Sequence, residues 1–568
     1  MKRALVLVLT LLAAFLTAQP AVAAPSVVRV TGSQGNWRLT VDGAPYTVKG
    51  LTWGPPVSEA AARLPDLRSI GVNTVRTWGT DGTTQPLLDA AAANGIKVIN
   101  GFWLQPGGGP GSGGCVDYVT DSTYKSNSLN EFVRWVNAYK AHPGVLMWNV
   151  GNESVLGMQN CFSGTELENQ RVAYVRFVND VTRAIHAADP NHPVTSTDAW
   201  TGAWPYFKAY APDLDLYAVN SYNAVCQVKN DWAAGGYTKP YILTEGGPPG
   251  EWEVPNDVNG VAAEPSDQAK RDGYRDAWNC LMSHTGVALG GTLFHYGTEQ
   301  DFGGVWFNLV PGNEKRLSYF SVAAAFGGTP PANRPPVISG MDLSRVTDVP
   351  AGGTFTVSVG VSDPDGDAIS YELRQNSKYI DNSGALVPAS YTGSGPFTVR
   401  APDRLGVWKL YVYARDGHGN VGIESRSFRV VAPTPQGENV ARGKATTASS
   451  YQQQGDGAPF PPSNTVDGSL TTRWASDWSD PQWLRADLGA TTTFQHVQLV
   501  WETAYGRAYD LQVSDNDRDW RTVYSTTSGD GGVDDIDVTA TGRYVRLYGN
   551  ARGTGWGYSL YELGVYRR

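Results

Sequence analysis

VLMWNVGNE, residues Val145–Glu153, is an apolar run that ends in glycine, asparagine and glutamate. A short apolar run of this kind is typical of a strand buried in a parallel sheet. Its last residue is unexpected, because burying an ionised carboxylate without a partner costs several kcal/mol or forces it to take up a proton. A chain that keeps a carboxylate there often uses it. Glu153 is therefore the first candidate functional residue, and Glu245 in the similar stretch YILTEGG is the second.

Short β-type runs alternate with amphipathic segments on both sides of this stretch, which indicates a parallel sheet. After an opening hairpin over residues 27–48, the strand candidates are YTVKGL, NTVRTW, KVINGFW, VLMWNV, PVTSTDA, DLYAVNSY, YILTEG and GTLFHYG. Eight strands in a segment of this length predict a (β/α)₈ barrel, which typically has about 250 residues. A doubly wound open sheet is the alternative, but it requires a Gly-rich phosphate turn after an early strand, and the sequence has none.

In such a barrel the active site lies at the C-terminal ends of the strands. The polar and aromatic residues expected there are Trp53, Arg76, Trp103, Asn152, Glu153, Asp198, Tyr222, Glu245 and His295. Two carboxylates among aromatic and polar groups suit the cleavage of a glycosidic bond, in which one is a proton donor and the other is ionised. We expect Arg76 and Tyr222 to hold Glu245 ionised and oriented.

The aromatic residues of this set have two interpretations. Trp53 and Trp103 are predicted sugar platforms, although inward tryptophans on barrel strands also serve as packing. Asp198 and His295 are predicted to bind substrate, with a structural role as the alternative. Trp252 lies in the loop GGPPGEWEVP after Glu245 and is predicted to line a subsite.

The segment from Val27 to Gly328 resembles the large clan of retaining glycoside hydrolases whose acid/base and nucleophile lie on strands four and seven. The resemblance rests on the pair Asn152-Glu153, on Glu245 and on Arg76. It implies that Glu153 is the acid/base, that Glu245 is the nucleophile and that Asn152 binds the sugar 2-hydroxyl. It also implies carboxyl groups about 5–5.5 Å apart.

Within that clan, YTVKGLTWG and LRSIGVNTVRTW are similar to two branches, the β-galactosidase/β-glucuronidase family and the β-1,3-glucanosyltransferase family. The jelly-roll domain that precedes the barrel in the first branch is missing here. Strand six has Asn220-Ser221-Tyr222 where many members have His-x-Tyr, and strand eight has Phe294-His295-Tyr296 where many have Trp. These departures concern the substrate subsite rather than the mechanism.

The N-terminus predicts export. Met1-Lys2-Arg3, an apolar run and Ala21-Val22-Ala23 form a signal peptide over residues 1–23, so a secreted, extracellular protein is expected. No later segment is apolar for the ~18 residues that a membrane span needs. Export permits disulfides, and the four cysteines can pair in three ways. We favour Cys115–Cys161 with Cys226–Cys280, because these pairs join neighbouring loops.

Composition and patterning divide the chain into domains. The barrel domain is predicted over 24–329, a proline-rich linker over 330–336, an Ig-like β-sandwich that acts as a spacer over 337–431, a second linker over 432–437 and a last β-rich domain over 438–568. Asp363–Asp367 reads DPDGD, which we interpret as a turn rather than a calcium site. The net charge of −9 argues against nucleic acid as a partner.

The last domain resembles the coagulation-factor type-C, or discoidin-like, module. The matching stretches are NTVDGSLTTRWAS, PQWLRADLG, YDLQVSDNDRDW and YSLYELGVY. By this resemblance, loops at one end of a β-sandwich bind glycans, and the candidates are Trp478, Tyr505, Arg507 and Trp556. The resemblance also implies a structural calcium at Asp467, Thr472 and Glu562.

The sequence thus predicts a secreted retaining β-glycosidase that hydrolyses a β-linked polysaccharide, with β-1,3-glucan favoured, and carries a carbohydrate-binding module. Catalysis is expected to need no cofactor. The expected partner is the polysaccharide, without nucleic acid or membrane insertion, and the protein is expected to be a monomer. The alternatives are a β-glucan transglycosylase with the same site and a non-catalytic glycan-binding or adhesion protein. A metal-dependent hydrolase is disfavoured, because no His/Asp/Glu cluster shows ligand spacing.

Overall fold

A computed structural model describes residues 25–108, 112–297, 304–453 and 459–568, so the predicted signal peptide lies outside the described residues. The chain forms two compact units. One contains the described residues up to Pro248 together with Gly273–Gly297 and Ser321–Pro330, and the other contains Pro249–Asp272, the described part of Thr298–Phe320 and Pro331–Arg568. The first described element is a small antiparallel sheet of β1 (Val28–Thr31), β2 (Arg38–Val41) and β3 (Ala44–Tyr46).

Eight parallel strands then close into a barrel, which confirms the predicted fold. They are β4 (Val48–Trp53), β5 (Thr74–Arg76), β6 (Lys97–Phe102), β7 (Val145–Asn152), β8 (Val194–Asp198), β9 (Tyr217–Asn220), β10 (Tyr241–Glu245) and β11 (Ala288–Tyr296). Strand β11 pairs with β4 to close the ring. The apolar run Val145–Asn152 is the fourth strand of the barrel, β7, and every residue of it is buried.

Helices follow the strands along the chain. They are α1 (Ala60–Ser69), α2 (Gln85–Ala93), α3 (Ser122–Tyr139), α4 (Ser154–Gly157), α5 (Gly164–Ala188), α6 (Trp204–Tyr210), α7 (Val225–Ala234), α8 (Asp267–Met282) and α9 (Leu317–Phe326). Helix α3 shows why these segments are helical. The carboxylate of Asp121 caps its first turn by accepting the N–H of Tyr124, and Phe132, Val136 and Tyr139 form one buried face.

Both predicted disulfides are confirmed. Cys115 is joined to Cys161 and Cys226 to Cys280, with Cα–Cα distances of 5.6 and 4.8 Å. Disulfides are typical of proteins that fold in an oxidising compartment, which is consistent with the predicted export. Among the described helices, none combines the length and apolar character that a membrane crossing requires.

The Ig-like domain is a sandwich of two sheets. Its elements are β12 (Val337–Leu343), β13 (Val349–Pro350), β14 (Thr354–Ser362), β15 (Ser370–Ser377), α10 (Lys378–Asp381), β16 (Ser383–Pro388), β17 (Ser390–Thr392), β18 (Phe397–Arg400), β19 (Gly406–Arg415) and β20 (Val421–Val431). The DPDGD run forms a turn in which Asp363 Oδ1 accepts the N–H groups of Asp365 and Asp367, and carboxylate oxygens of Asp363, Asp367 and Asp416 lie within 4.8 Å of one another, so the calcium alternative stays open.

The Ig-like domain packs on segments that we assigned to the barrel domain, and its role as a spacer stays a prediction. Glu264, between β10 and α8, is buried and pairs with Lys270 and with Lys409 of the Ig-like domain, the latter at 2.6 Å. Burial alone would raise the pKa of Glu264, but the two lysine charges lower it overall. The backbone N–H of Ile423 donates to the buried carboxylate of Asp267. These buried contacts of Glu264 and Asp267 hold the Ig-like domain on the segment between β10 and α8 and on the start of α8.

The C-terminal domain is a second antiparallel sandwich, with a core around Trp474, Leu484 and Tyr509. Its strands are β21 (Glu438–Asn439), β22 (Ala445–Ala448), β23 (Trp474–Ala475), β24 (Gln482–Trp501), β25 (Gly506–Ser514), β26 (Arg521–Thr526), β27 (Val533–Arg552) and β28 (Ser559–Arg567). The two strands of 20 residues, β24 and β27, pair along most of their length and form the centre of the sheet.

Candidate active site

Glu153 follows the last residue of β7, where the backbone leaves the strand in a left-handed conformation. Its φ angle is 58°, which is uncommon for a residue with a side chain. The N–H of Glu153 donates to the carbonyl of Thr197 on the next strand at 3.0 Å. Backbone strain of this kind persists where the surrounding structure enforces it, and it concentrates at functional sites.

Glu245 ends β10, the seventh strand, and its carboxylate accepts from three side chains. Arg76 donates from Nη1 to Oε1 at 2.6 Å, and the indole N–H of Trp78 donates to the same oxygen at 3.0 Å. The Tyr222 hydroxyl donates to Oε2 at 2.9 Å. Arg76 is fully buried, so its charge acts on Glu245 in a medium that screens it weakly. Arg76, Trp78 and Tyr222 thus surround the Glu245 carboxylate with donors.

Asn152 connects the two carboxylates. Its Oδ1 accepts from Arg76 Nη2 at 2.7 Å and from Asn220 Nδ2 at 3.2 Å. Asn220 Nδ2 in turn donates to Glu153 Oε1 at 2.7 Å. A continuous hydrogen-bond network therefore runs from one carboxylate to the other through three side chains. Because the oxygen of Asn152 is occupied, its amide nitrogen is the group that remains to donate to a sugar hydroxyl.

The two carboxylates differ in their electrostatic surroundings. Burial and, next, the charge of Glu245 raise the pKa of Glu153 to about 8, against a smaller opposite effect of the Asn220 hydrogen bond. Both effects favour the protonated form of Glu153. Burial also raises the pKa of Tyr222 well above its usual value, so its hydroxyl stays a donor to Glu245. A protonated carboxyl beside a carboxylate held by a cation is the arrangement that double displacement at a glycosidic bond requires.

Asp198 has a role other than the predicted one. Its side chain is fully buried, and its oxygens accept the backbone N–H groups of Val155, Leu156 and Ala199 at 2.8, 3.3 and 2.8 Å. Burial raises its pKa to about 7 despite these bonds. Asp198 thus fixes the short helix α4 that follows Glu153, and we correct its assignment from substrate contact to support of the acid.

The other predicted residues at the strand ends are aromatic. Trp53 stacks on Tyr296 with ring centroids 6.0 Å apart, and its indole N–H has no partner among the described residues. An unpaired buried donor at the end of a barrel strand suits a sugar hydroxyl. His295 Nδ1 lies 3.0 Å from the Thr52 hydroxyl, and its ring packs at 5.9 Å from Trp78.

Trp103 and Trp252 have different surroundings. Trp103 is half-buried, donates its N–H to the carbonyl of Ser112 at 3.3 Å and packs against Gly107, where an added Cβ would lie 2.3 Å from the indole. The glycine-rich loop therefore covers part of this predicted platform. Trp252 belongs to the second unit, where its side chain is 60% exposed and contacts Phe307.

Sequence reasoning missed Trp78 and Asn220 as site residues. Trp78 lies two positions beyond Arg76, outside strand β5, so a search restricted to strand ends does not reach it. Asn220 does end strand β9, and its departure from the His-x-Tyr pattern was the available signal. Gly108 was also missed, because nothing in a Gly-rich loop singles out one glycine. An added Cβ at Gly108 would lie 1.9 Å from Glu153 Oε2, so the loop approaches the acid at this point.

The C-terminal domain brings two of its four predicted glycan-binding residues into contact. Trp478 and Trp556 are 56% and 57% exposed, with their rings edge-to-face at 4.9 Å. Tyr505 is half-buried, and an added Cβ at Gly553 would lie 2.2 Å from its ring. Arg507 lies on β25 with its side chain exposed.

The predicted calcium residues in this domain fit an ion. Glu562 Oε1 is buried and has no hydrogen-bond partner in the part of the chain that the structure describes. Burial raises the pKa of Glu562 to about 7, and the nearby Asp467 charge acts in the same direction. The Thr472 hydroxyl donates to Asp467 Oδ2 at 2.7 Å, so the three predicted residues are neighbours.

Comparison with known proteins agrees with this geometry. Residues 65–258 match the TIM barrel domain of glycosyl hydrolases family 2, and residues 445–563 match the F5/8 type C domain. Within the matched residues, this chain resembles a family 2 glycoside hydrolase. It is 25% identical over 212 residues to a β-mannosidase of Rattus norvegicus, a stretch that makes up 33% of this chain and 23% of that relative. The chain thus spans about a quarter of the length of this curated relative.

Two solved structures are also similar to this chain over different shares of its length. Chitosan-binding module 1 of a chitosanase/glucanase from Paenibacillus sp. IK-5 is 48% identical, covering 23% of this chain and 98% of the module, with a TM-score of 0.21. The β-glucuronidase of Bacteroides uniformis is 12% identical, covering 96% of this chain and 67% of that one, with a TM-score of 0.43.

Proposed function

We propose that this protein is a secreted, retaining β-glycosidase that hydrolyses O-glycosidic bonds of a β-linked glycan. The observation that carries the proposal is the contrast between Glu153 and Glu245, which are linked through one hydrogen-bond network but have different partners, because Glu245 pairs with the Arg76 guanidinium and Glu153 accepts from the neutral amide of Asn220. Their positions on the fourth and seventh barrel strands, and the match to the family 2 barrel, support it.

The reaction proceeds in two steps. In the first, the Glu245 carboxylate attacks the anomeric carbon, the bond to the leaving oxygen breaks and that oxygen takes the proton of Glu153. In the second, the ionised Glu153 removes a proton from water, the water oxygen bonds to the anomeric carbon and Glu245 is released. Asn152 donates from Nδ2 to the sugar 2-hydroxyl. Trp53 supplies its unpaired indole N–H to a second hydroxyl.

The substrate is a β-linked polysaccharide, and β-1,3-glucan remains the sequence-based choice. The relatives widen the set to be tested, because they are named as a β-mannosidase, a β-glucuronidase and a chitosan-binding module. A transglycosylase with the same site would differ only in the acceptor that resolves the glycosyl-enzyme, so product analysis with and without added acceptor sugar separates the two.

The test is a panel of β-1,3-glucan, mannan, galactan, chitosan and aryl β-glycosides, including a glucuronide, with products resolved by size and anomeric configuration. We expect one sugar class to be released with retention of configuration. Glu153→Gln and Glu245→Gln are the matched variants, because each replaces a carboxylate by an amide of equal size. If both variants keep the biological function while no sugar is released by the wild type, the protein is the non-catalytic adhesin and the proposal fails.

The C-terminal domain binds the glycan through the Trp478–Trp556 pair, and it raises the local substrate concentration for the barrel. Exposed aromatic rings of this kind are rarely left in water without a ligand. We expect Trp478→Ala and Trp556→Ala in the full chain to weaken adsorption to insoluble glycan and to leave hydrolysis of small aryl glycosides unchanged. Trp520→Ala is the control, because Trp520 stacks on Arg546 of the same domain and is not part of the pair.

A structural calcium completes this domain at Asp467, Thr472 and Glu562, whereas catalysis needs no cofactor. Calcium prefers carboxylate and other oxygen ligands, which these residues supply. Adding calcium is expected to raise the thermal stability of the wild type and not that of Glu562→Gln. An equal shift in both proteins would contradict the site. The chain is proposed to act as a monomer, which light scattering tests directly.

A further inference from the structure

We propose that Asn220 is a positioning residue that fixes which oxygen of Glu153 carries the catalytic proton. The inference rests on the proposed function and adds a residue to its machinery. Asn220 is 1% exposed, and its side-chain amide lies between the acid, the sugar-binding Asn152 and the interior of the barrel.

The orientation of the Asn220 amide follows from its neighbours. The Arg76 guanidinium can only donate, so Asn152 must present its oxygen to Arg76. That oxygen also faces Asn220, which must therefore direct its nitrogen toward it. On its other side Asn220 Oδ1 accepts the hydroxyl of Thr244 at 2.8 Å. A flipped amide would place two acceptors against each other, so the nitrogen side is fixed toward Glu153.

Support for this orientation extends into the barrel. The Thr244 oxygen lies 3.2 Å from the Thr197 hydroxyl, which is also 2.7 Å from Asn149 Oδ1. All of these side chains lie on β7, β8 and β10 and are buried. Side chains on rigid strands hold a catalytic group more accurately than side chains on loops. Asn220 is thus held from both ends.

The consequence concerns the proton of Glu153. A protonated carboxyl has one oxygen that donates and one that only accepts. Glu153 Oε1 receives the Asn220 N–H at 2.7 Å, so it is the accepting oxygen and the proton resides on Oε2. Oε2 is the oxygen that Gly108 approaches, and the missing side chain of that glycine leaves space beside the proton. The leaving oxygen of the substrate is therefore protonated from Oε2.

This assignment also gives a reason for asparagine at a position where similar enzymes have histidine. An amide nitrogen carries two N–H groups, and Asn220 uses them for Glu153 and Asn152 together. A neutral imidazole has a single N–H and cannot serve both acceptors. Asn220 thus ties the geometry of the acid to that of the residue assigned to the sugar 2-hydroxyl.

The experiment compares Asn220→Ala and Thr244→Val with the wild type on aryl β-glycosides of the released sugar, with leaving groups of graded acidity. Loss of the positioned proton affects poor leaving groups most, and activated dinitrophenyl glycosides need little protonation. For Asn220→Ala we expect kcat/KM, which reports the first step, to fall by about 10²-fold on poor leaving groups, within the range of general acid catalysis, and by less than about 10-fold on dinitrophenyl glycosides. Thr244→Val is expected to show the same pattern at smaller size.

Two further variants separate positioning from general damage. Ser221→Ala, on the neighbouring residue, is the control and is expected to leave the leaving-group dependence unchanged. Asn220→His restores one N–H and is expected to recover part of the loss. The proposal is overturned if Asn220→Ala lowers kcat/KM equally on all substrates, or on none of them. If Asn220→Ala does not fold, the same comparison is made with Thr244→Val. A wild type that cleaves no β-glycoside would instead reject the proposed function itself.

Discussion

Glu153 and Glu245 are the same residue type at the ends of two strands of one barrel, yet their surroundings are opposite. Glu245 accepts from a buried guanidinium, an indole N–H and a phenol. Among the described residues, Glu153 accepts from the neutral amide of Asn220, and it faces the charge of Glu245. The difference teaches that the role of a carboxylate is set by the donors on or just beyond other strands of the barrel, in this case β5 and β9, rather than by its own strand.

Removing each carboxylate is the most direct way to test this contrast, and it has the largest expected effect. Glu245→Ala removes the nucleophile and is expected to reduce kcat on every substrate by on the order of 10⁴-fold or more. Glu153→Ala is expected to reduce kcat on poor leaving groups by about 10²- to 10⁴-fold and to leave the first step on activated substrates nearly intact. Added azide should accelerate both variants but yield products of opposite anomeric configuration. Identical configurations would contradict the assignment.

Removing the cation breaks the contrast from the Glu245 side. Arg76→Met leaves a buried carboxylate without its charged partner, which typically costs about 3–5 kcal/mol of stability. We expect a large drop in thermal stability together with loss of kcat. Arg63→Met is the control, because the Arg63–Glu59 pair lies on helix α1 and a neighbouring turn and is partly exposed. Equal effects of the two substitutions would show that Arg76 has no special relation to Glu245.

Removing one neutral donor at a time sharpens the comparison. Tyr222→Phe and Trp78→Phe each delete one hydrogen bond to the Glu245 carboxylate. A hydrogen bond to a charged group contributes about 1.5–3 kcal/mol, so we expect kcat/KM to fall by roughly 10- to 100-fold in each variant. Steady-state kinetics with one activated substrate measure this. An unchanged kcat/KM in both would mean that Arg76 alone defines the nucleophile.

The last expected effect concerns the folded state rather than the reaction rate, and it is a dependence of the free energy of unfolding on pH. The pKa of Glu153 is raised from an ordinary value near 4.5 to about 8 in the folded chain. Folding therefore retains a proton that the unfolded chain loses between pH 4.5 and 8, so this group's contribution to stability falls as pH rises through that range, at up to about 1.4 kcal/mol per pH unit. Glu153→Gln removes the effect. Thermal unfolding at pH 5 and pH 8 should show a smaller loss of stability in the variant than in the wild type.

The barrel and both carboxylates could be predicted from sequence because each strand carries its own signal. The apolar run before Asn152 and the run before Glu245 are local patterns, and counting them places the chemistry at strands four and seven. The cage around Glu245 could be predicted only in part. Arg76 ends a strand and was found, but Trp78 lies beyond one and reaches Glu245 only through the closed barrel.

Other failures have the same physical origin. Asp198 looked like a substrate ligand because it ends a strand, but three backbone N–H groups of its neighbours determine its role. The burial of Glu264 and Asp267 could not be predicted, because their partners in the Ig-like domain are more than 140 residues away for Glu264–Lys409 and 156 residues away for Asp267–Ile423. Tertiary partners at such separations leave no trace in local periodicity.

The charges that surround Glu264 determine where this chain can be divided when chimaeric proteins are made. The segment Pro249–Asp272 is inserted between the seventh and eighth strands, and its buried carboxylates find their partners on β19 and β20. A chain cut in the linker at 330–336 would keep those carboxylates and lose Lys409, which leaves a buried charge short of a partner. The barrel segment therefore cannot be transferred to another protein by itself. A chimaera that contains it must also contain the Ig-like domain.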